Sequence, residues 1–248
     1  TGYVTQQFIA DRTLSLVVAL PLAFVVTFAA GVALERLVIR HLYKRPLETL
    51  LATFGVSIAL QQLAKNIFGT QARPLTAPAW LEGSVGFGEI VSISTIRVAI
   101  FVLALLFLGL FLWIMKRTRL GLEVRAVTQN RRMAAAMGIR TPWVDAMTFG
   151  LGSGIAGVAG VALSQIDNVS PNLGQSYIID SFLVVVFGGV GSLWGTLTAA
   201  MSLGVVNKFL EPYAGAVLAK IFILVLVILF IQKRPRGLFA QKGRAVEA

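Results

Sequence analysis

The sequence predicts an all-α fold: a polytopic bundle of transmembrane helices with one broken or re-entrant segment near residues 178–210. Hydrophobic residues make up 56% of the 248 residues, charged residues only 13%, and the mean hydropathy is +0.80. Several apolar runs approach or reach the roughly 20 residues that a helix needs to cross a bilayer. The basic residues are bunched in short segments between these runs. Together these observations predict an integral membrane protein.

Six apolar runs are the predicted helices, and they differ in how well they suit a membrane. Four are long and nearly uncharged, one is more polar, and one is interrupted by glycines. In chain order they cover residues 14–34, 50–68 (the polar run), 97–115, 146–164, 178–210 (the interrupted run) and 216–231. A helix rises about 1.5 Å per residue, so the uninterrupted runs suit the thickness of a hydrocarbon core.

The basic residues orient these helices, because Lys and Arg are enriched in short cytoplasmic loops. Residues 35–49, residues 116–143 and the tail after residue 231 hold most of the 22 Lys and Arg residues. Residues 165–180 contain acidic residues and no basic one. We therefore place the three basic segments, including the C-terminus, in the cytoplasm and residues 165–180 on the outer side.

The stretch FGGVGSLWGT, residues 187–196, interrupts the fifth run with glycines. If residues 178–210 crossed the membrane once, the basic tail would lie on the outer side. A turn at the glycines instead makes two short helices, or half-spans, that enter the membrane from one side and return to the same side. The tail is then cytoplasmic. We predict a hinge at Gly188, Gly189 and Gly191, with its irregular backbone shielded from lipid. Close packing of helices at these glycines is compatible with the same pattern.

Several classes of chemistry are disfavoured by the residues present. GSGIAG, residues 152–157, matches a dinucleotide-binding pattern but lies inside an apolar helix. We predict instead that Gly150, Gly154, Gly157 and Ala162 form a tight helix–helix contact. With no cysteine and one histidine, we predict no catalytic residue and no metal site. Basic residues bunched between apolar runs do not make a nucleic-acid surface.

A polar stripe runs along the second apolar run. Thr53, Ser57 and Gln61 recur at every fourth position and therefore share one face of a helix. Polar groups in a membrane helix are costly unless they face other helices or a wet path. Two interpretations stay open: the three side chains line the path of a small polar solute, or they form hydrogen bonds between helices.

The longest basic segment, residues 116–143, is predicted to contain a short cytoplasmic helix. Ala and Met recur at helical spacing over residues 125–137, beside Arg131 and Arg132, and Gly138 follows as a stop. Such a helix either rests on anionic lipid or binds a soluble partner. Both interpretations fit the residues.

Four motifs resemble those of a known family. RAVTQNRRMAAAMGI, GLGSGIAGVAG, DSFLVVVFGGVGSLWGT and LVILFIQKRPRGLF follow one another along the chain, and this order resembles the permeases of branched-chain amino acid and urea ABC importers. The resemblance covers almost the whole chain. It implies a single transmembrane permease domain over residues 1–248, lacking its native N-terminal part, in the inner membrane of a bacterium.

The resemblance also implies partners and a mechanism. Permeases of this family pair with a second, related permease, two cytoplasmic ATPases that bind ATP and Mg, and a periplasmic solute-binding protein. The permease itself then carries no cofactor and is not an enzyme. Its cytoplasmic loop, here residues 116–143, couples ATP hydrolysis to transport by alternating access. The coupling residues implied for this chain are Arg125, Arg131, Arg132, Ala135 and Gly138.

The expected solute follows from the finer resemblance. ATFGVSIALQQ, NKFLEPYAGAVLAKI and FIQKRPRGLFAQKGR are most similar to the urea-transporter subunit, so urea is the expected solute. The scarcity of acidic residues deep in the predicted helices is compatible with a neutral solute. A branched-chain amino acid is the alternative, since its carboxylate would suit a helix N-terminus at the broken segment. A passive channel for a small solute would use the same polar stripe without a coupling helix.

Overall fold

The all-α fold is confirmed by the computed structural model, which describes residues 5, 11–42, 46–71, 83–87, 91–234 and 237–239. The chain forms two compact units, Thr1–Pro171 and Asn172–Ala248. The first contains α1 (Arg12–Leu34), a π-helical turn (Glu35–Ile39), α2 (Arg40–Leu42), α3 (Pro46–Phe68), α4 (Thr95–Arg117), α5 (Arg119–Gln129), α6 (Arg131–Ala136) and α7 (Thr141–Leu163). The second contains α8 (Leu173–Gly188) and α9 (Leu193–Lys233).

Five helical segments of the described residues are long and apolar enough to cross a bilayer. They are Thr13–Leu42, Leu47–Phe68, Thr95–Arg117, Thr141–Leu163 and Leu193–Lys233, and the apolar helix α8 is shorter. The first segment continues past its predicted end at residue 34, because the π-helical turn leads into α2 without a break. Arg36 and Arg40 therefore lie on the last turns of a helix rather than in a loop.

A short antiparallel β-hairpin precedes α4, and the sequence patterns did not indicate it. Strand β1 (Ser84–Phe87) pairs with β2 (Val91–Ser94), and the register places Ser84 opposite Ser94. The hairpin is a small addition to a helical fold. It lies between the second and third predicted apolar runs, and its strand pairing satisfies backbone hydrogen-bonding groups of this connection.

The first unit is held together by α1 and α7, which approach closely through small residues. A Cβ atom added at Gly157 would lie 2.2 Å from Thr27 Oγ1, and one at Gly154 would lie 2.6 Å from Phe24 Cε2. Neither position has room for a side chain. The predicted packing role of the GSGIAG segment is thereby confirmed for these two glycines.

The same contact extends along both helices. Toward the end of α7, Val161 packs with two buried alanines of α1, and the predicted contact residue Ala162 is buried. Toward the start of α7, a Cβ at Gly150 would lie 2.6 Å from Val32 Cγ2. Because the start of α7 meets the end of α1, the two helices are antiparallel.

The second unit contains the break that the glycines predict. α8 ends at Gly188 and α9 begins at Leu193, and the turn between them holds Gly189 at φ 100° and Gly191 at φ 90°. Glycine is the residue that adopts positive φ at little cost. The predicted interruption within residues 178–210 is thereby confirmed.

α9 is itself broken at Gly215, where φ is 78° and ψ is 161°. Gly195, at the start of α9, lies against Gly188, whereas Phe230, near its end, packs on Phe187 with 4.6 Å between the ring centroids. In one straight helix Gly195 and Phe230 would be about 52 Å apart. Both nevertheless contact neighbouring residues of α8, so the chain must fold back at Gly215.

One hydrophobic cluster joins the three helical segments of the second unit. Leu183 of α8, Leu203 of the first half of α9, and Ile223 and Val227 of its second half are all buried. The second half of α9 corresponds to the predicted last helix, residues 216–231. The break at Gly215 thus separates this helix from the preceding half-span, as the sequence predicts.

Candidate functional site

The predicted polar stripe lies along one face of α3. Gln61 Nε2 donates to Ser57 Oγ at 3.3 Å, and Thr53 Oγ1 donates to the carbonyl oxygens of Thr49 and Leu50, each at 3.0 Å. These hydrogen bonds all stay within α3. None of the α3 side chains that the structure describes is buried. The stripe therefore lies on a surface that solute or another subunit can reach.

We expect the double variant Ser57→Leu/Gln61→Leu to slow solute uptake by at least about tenfold, because it removes two hydrogen-bonding groups from the proposed path. The measurement is the initial rate of uptake, corrected for the amount of assembled complex. Gln62→Leu is the matched control: it removes a neighbouring amide, which donates to Asn66 Oδ1 at 3.5 Å, on a different face of the same helix. Normal uptake by the double variant would assign the stripe to helix packing.

The predicted cytoplasmic helix consists of two helices that meet at Asn130. This residue leaves the helical region, with φ −151° and ψ 100°, and its side chain accepts a hydrogen bond from Met133 N at 3.1 Å. Asparagine suits this position because its short side chain satisfies an amide in the first turn of the helix that follows. The prediction of one helix over residues 125–137 is therefore wrong.

The short helix α6 presents methionines on its exposed face. Ala134 is buried, whereas Ala135 is exposed and the side chains of Met133 and Met137 are 65% and 83% exposed. Gly138, at φ 87°, ends the helix as predicted. Flexible, polarisable methionine side chains suit a surface that packs against another protein.

An ion pair ties α6 to α7. Arg131 donates to Asp145, whose side chain is only 14% exposed, and such charge-assisted hydrogen bonds are about twice as strong as neutral ones. Arg125 and Arg132 are exposed and leave their charges on the surface of the loop. A displacement of α6 would therefore act directly on α7, which packs on α1.

A groove separates α5 from α7 beside this ion pair. It has a volume of about 620 Å³ and mostly apolar walls, with Val124 and Val127 from α5 and Val144 and Phe149 from α7. Asp145 also lines the groove. α5 therefore lacks the close packing on α7 that α1 has, and the ion pair links α6 to α7 beside this groove.

The predicted hinge is packed against its own helices and against the tail. A Cβ atom at Gly188 would lie 2.5 Å from Gly195 O, so α8 and α9 meet backbone to backbone. Beyond α9, Leu238 N donates to Phe187 O at 2.9 Å, and Phe239 N donates to Gly188 O at 3.3 Å. The tail thus satisfies two of the carbonyl groups that the end of α8 leaves open.

Gly237 fits the tail onto the glycine turn. Its φ is 76°, and a Cβ there would lie 2.5 Å from Gly189 Cα. Sequence patterns do not predict this contact, because it forms only when the chain returns from Gly215. The roles of Gly188, Gly189 and Gly191 as a hinge stay a prediction.

Charged residues inside the helical segments were also missed. Lys220 Nζ of α9 lies 3.0 Å from Asp180 Oδ2 of α8. Glu35, assigned from the sequence to a cytoplasmic segment, is 0% exposed in the π-helical turn. The expectation that acidic residues are scarce deep in the membrane-spanning helices stays a prediction. The available signal was that Asp180 and Lys220 each lie inside a predicted apolar run.

No metal site is apparent in the part of the chain that the structure describes, where no three His, Cys, Asp or Glu side chains are grouped closely enough to hold an ion. The sequence-based expectation that ATP and Mg bind to a partner stays a prediction.

The chain is similar to known proteins over nearly its whole length. Residues 1–231 match the family described as the permease component of branched-chain amino acid transport systems. The chain is 32% identical to the high-affinity branched-chain amino acid transport permease BraD of Pseudomonas aeruginosa, over 92% of this chain and 76% of the relative. It is 30% identical to LivH of Escherichia coli, over 88% of this chain and 72% of the relative. No solved structure matches the chain significantly.

Proposed function

Because the chain belongs to the permease family of branched-chain amino acid transport systems, we propose that it is a membrane-spanning subunit of an ATP-driven ABC importer. The chain is a multi-pass membrane permease and not an enzyme. In the proposed importer, solute arrives from a periplasmic binding protein and leaves to the cytoplasm by alternating access. The chain lies in the inner membrane of a bacterium, with its C-terminus in the cytoplasm.

The proposed complex contains a second, related permease and two cytoplasmic ATPases, which bind ATP and Mg. The observation that carries this proposal is the attachment of α6 to α7. α6 exposes Met133 and Met137 to a partner, while Arg131 joins it to Asp145 of α7. Closure of the ATPases on ATP would push α6, and the ion pair would pass this displacement to the membrane helices.

Three sets of residues have roles in this mechanism. Thr53, Ser57 and Gln61 are proposed as polar positions on the solute path, since they share an exposed face of α3. The turn with Gly189 and Gly191 is proposed as the hinge at which α8 and α9 change their relative position. The coupling element comprises Arg125, Arg131, Arg132, Ala135 and Gly138.

Two solutes are candidates. A branched-chain amino acid is the first, because the names of relatives 30% and 32% identical to this chain describe branched-chain amino acid transport. Urea is the second, because ATFGVSIALQQ and NKFLEPYAGAVLAKI resemble the urea-transporter subunit. The Asp180–Lys220 ion pair places charged groups on the apolar helices α8 and α9. These helices are therefore compatible with a charged solute such as an amino acid.

Uptake by vesicles that contain the complete complex tests this proposal. Labelled leucine and labelled urea are supplied with and without ATP and binding protein. We expect ATP-dependent accumulation of either leucine or urea. The solute that accumulates is the one that the importer transports. Equilibration of either solute without ATP would contradict an importer and indicate a passive channel.

Replacing Ala135 with phenylalanine is expected to uncouple ATP hydrolysis from transport. Ala135 is exposed on α6, so a bulky side chain there would disturb the contact with the ATPase and leave the permease folded. Uptake should fall at least about tenfold while ATP hydrolysis continues, because a larger side chain disrupts the packing of the interface. The measurement is the ratio of solute transported to ATP hydrolysed.

Leu122→Phe is the matched control for this variant. Leu122 is 65% exposed on α5, in the same loop but outside the proposed coupling element. It should retain the wild-type ratio. If Ala135→Phe retains that ratio as well, α6 does not couple the ATPase to transport. Gly138 is less suitable for the test, because any side chain at φ 87° strains the backbone.

A further inference from the structure

Among the described residues of the second unit, one ion pair joins α8 to α9. Asp180 lies near the middle of α8, and Lys220 lies in the second half of α9, with 3.0 Å between Nζ and Oδ2. The pair joins two different helices. Charged residues within membrane helices are rare, and as a rule they face a wet cavity or another polar group.

The pair lies at the edge of the hydrophobic cluster and not inside it. Leu183 and Ile223, each three residues further along the same two helices, are buried. By contrast, the side chain of Asp180 is 39% exposed and that of Lys220 is 51% exposed. An ion pair with this much exposure would be costly against lipid. We therefore expect this surface to face water in the assembled importer.

Each member of the pair has hydrogen-bonding capacity beyond their mutual contact. An ammonium group has three donors, and a carboxylate has about four lone-pair positions. The contact between Lys220 and Asp180 uses one of each. A small solute that presents an acceptor beside a donor can therefore bind both side chains together.

We propose that Asp180 and Lys220 form a solute-recognition site on the transport path. Lys220 donates to a carboxylate or carbonyl oxygen of the solute, and Asp180 accepts from its amino group. The α-amino carboxylate of an amino acid and the amide of urea share this chemistry. The inference rests on the proposed importer function and adds to it the polar site that recognises the solute.

Transport kinetics test this proposal with the neutral pair Asp180→Asn/Lys220→Gln, which keeps a hydrogen bond between the helices. The complete complex is reconstituted with ATP and binding protein, and apparent KM and Vmax are measured for leucine and urea. We expect KM to rise at least about tenfold for the transported solute, as expected when hydrogen bonds to charged groups are lost. The amount of assembled complex should stay at the wild-type level.

The matched control is another ion pair of this unit, between Lys208 and Glu211. It is similarly exposed but lies within one helix, at positions i and i+3. Lys208→Gln/Glu211→Gln should leave KM unchanged. A wild-type KM in the Asp180→Asn/Lys220→Gln variant would overturn the inference and make the pair a link between helices. If the wild-type complex accumulates neither solute, the proposed function itself fails, and the inference fails with it.

Accessibility provides a second measurement that needs no transport. The chain has no cysteine, so Val217→Cys, at an exposed position three residues before Lys220, introduces a single thiol beside the intact pair. Its reaction with an impermeant charged reagent is followed by mass. We expect labelling, and saturating leucine or urea should slow it at least about fivefold because an occupied site excludes the reagent. Lys208→Cys should label at a rate that solute does not change. Failure of Val217→Cys to label, or labelling that neither solute slows, would overturn the inference.

Discussion

Replacing Gly188 with valine should remove nearly all folded permease from the membrane. A Cβ atom at this position would lie 2.5 Å from Gly195 O, 2.6 Å from Gly195 C and 2.7 Å from Thr196 N. All three atoms belong to the backbone, so no side-chain rotation relieves the clash. Overpacking costs about 1–3 kcal/mol even where side chains can adjust, and we expect this variant to exceed that range.

The measurement is the fraction of monodisperse, folded protein after extraction, together with its midpoint of thermal unfolding. Gly204→Val is the matched control, because Gly204 lies in the same helix as Gly195 and a Cβ there would meet no heavy atom within 4 Å. This control should fold and transport like the wild type. If Gly188→Val also folds normally, α8 and α9 do not meet backbone to backbone at the glycine turn.

Replacing Gly157 with leucine should separate α1 from α7 and destabilise the first unit by about 3 kcal/mol, the upper end of the usual cost of overpacking. A Cβ at residue 157 would lie 2.2 Å from Thr27 Oγ1 and 2.8 Å from Thr27 Cβ. Thr27 cannot easily turn aside, because its Oγ1 donates to Ala23 O at 2.6 Å. The helices themselves must therefore move apart.

Gly160→Leu tests whether this effect comes from the helix contact or from the loss of any glycine in α7. Gly160 lies less than one turn further along α7, and a Cβ there would meet nothing within 4 Å. We expect normal unfolding temperature and uptake for this variant. Equal losses in both variants would mean that the small residues of α7 matter for the helix itself and not for its contact with α1.

Local patterns explain why much of the fold could be predicted. The length of an apolar run limits whether a helix can span a bilayer, and this identified α4 and α7 closely. A helix loses stability where it runs through several glycines. The glycine cluster therefore predicted the break between α8 and α9. The error at Asn130 has a local cause as well: its side chain caps α6, and this outweighed the helical spacing of the alanines around it.

The candidate site was predictable only in part. The spacing of Thr53, Ser57 and Gln61 placed them on one face, because helical period is a local property. The spacing could not indicate that this face is left uncovered by the rest of the first unit. In the same way, Arg131 was identified as a member of the coupling loop, but its partner Asp145 could be identified only from the packed helices.

The sequence by itself determined that this is a helical membrane protein, which segments form its main helices and where its glycine-rich break lies. These properties depend on composition, period and charge within short stretches of chain. Only the tertiary structure decided that the chain folds back at Gly215, that the tail hydrogen-bonds to the end of α8, and that Asp180 meets Lys220. Each of these contacts joins residues far apart in the sequence, so each depends on the path of the whole chain between them.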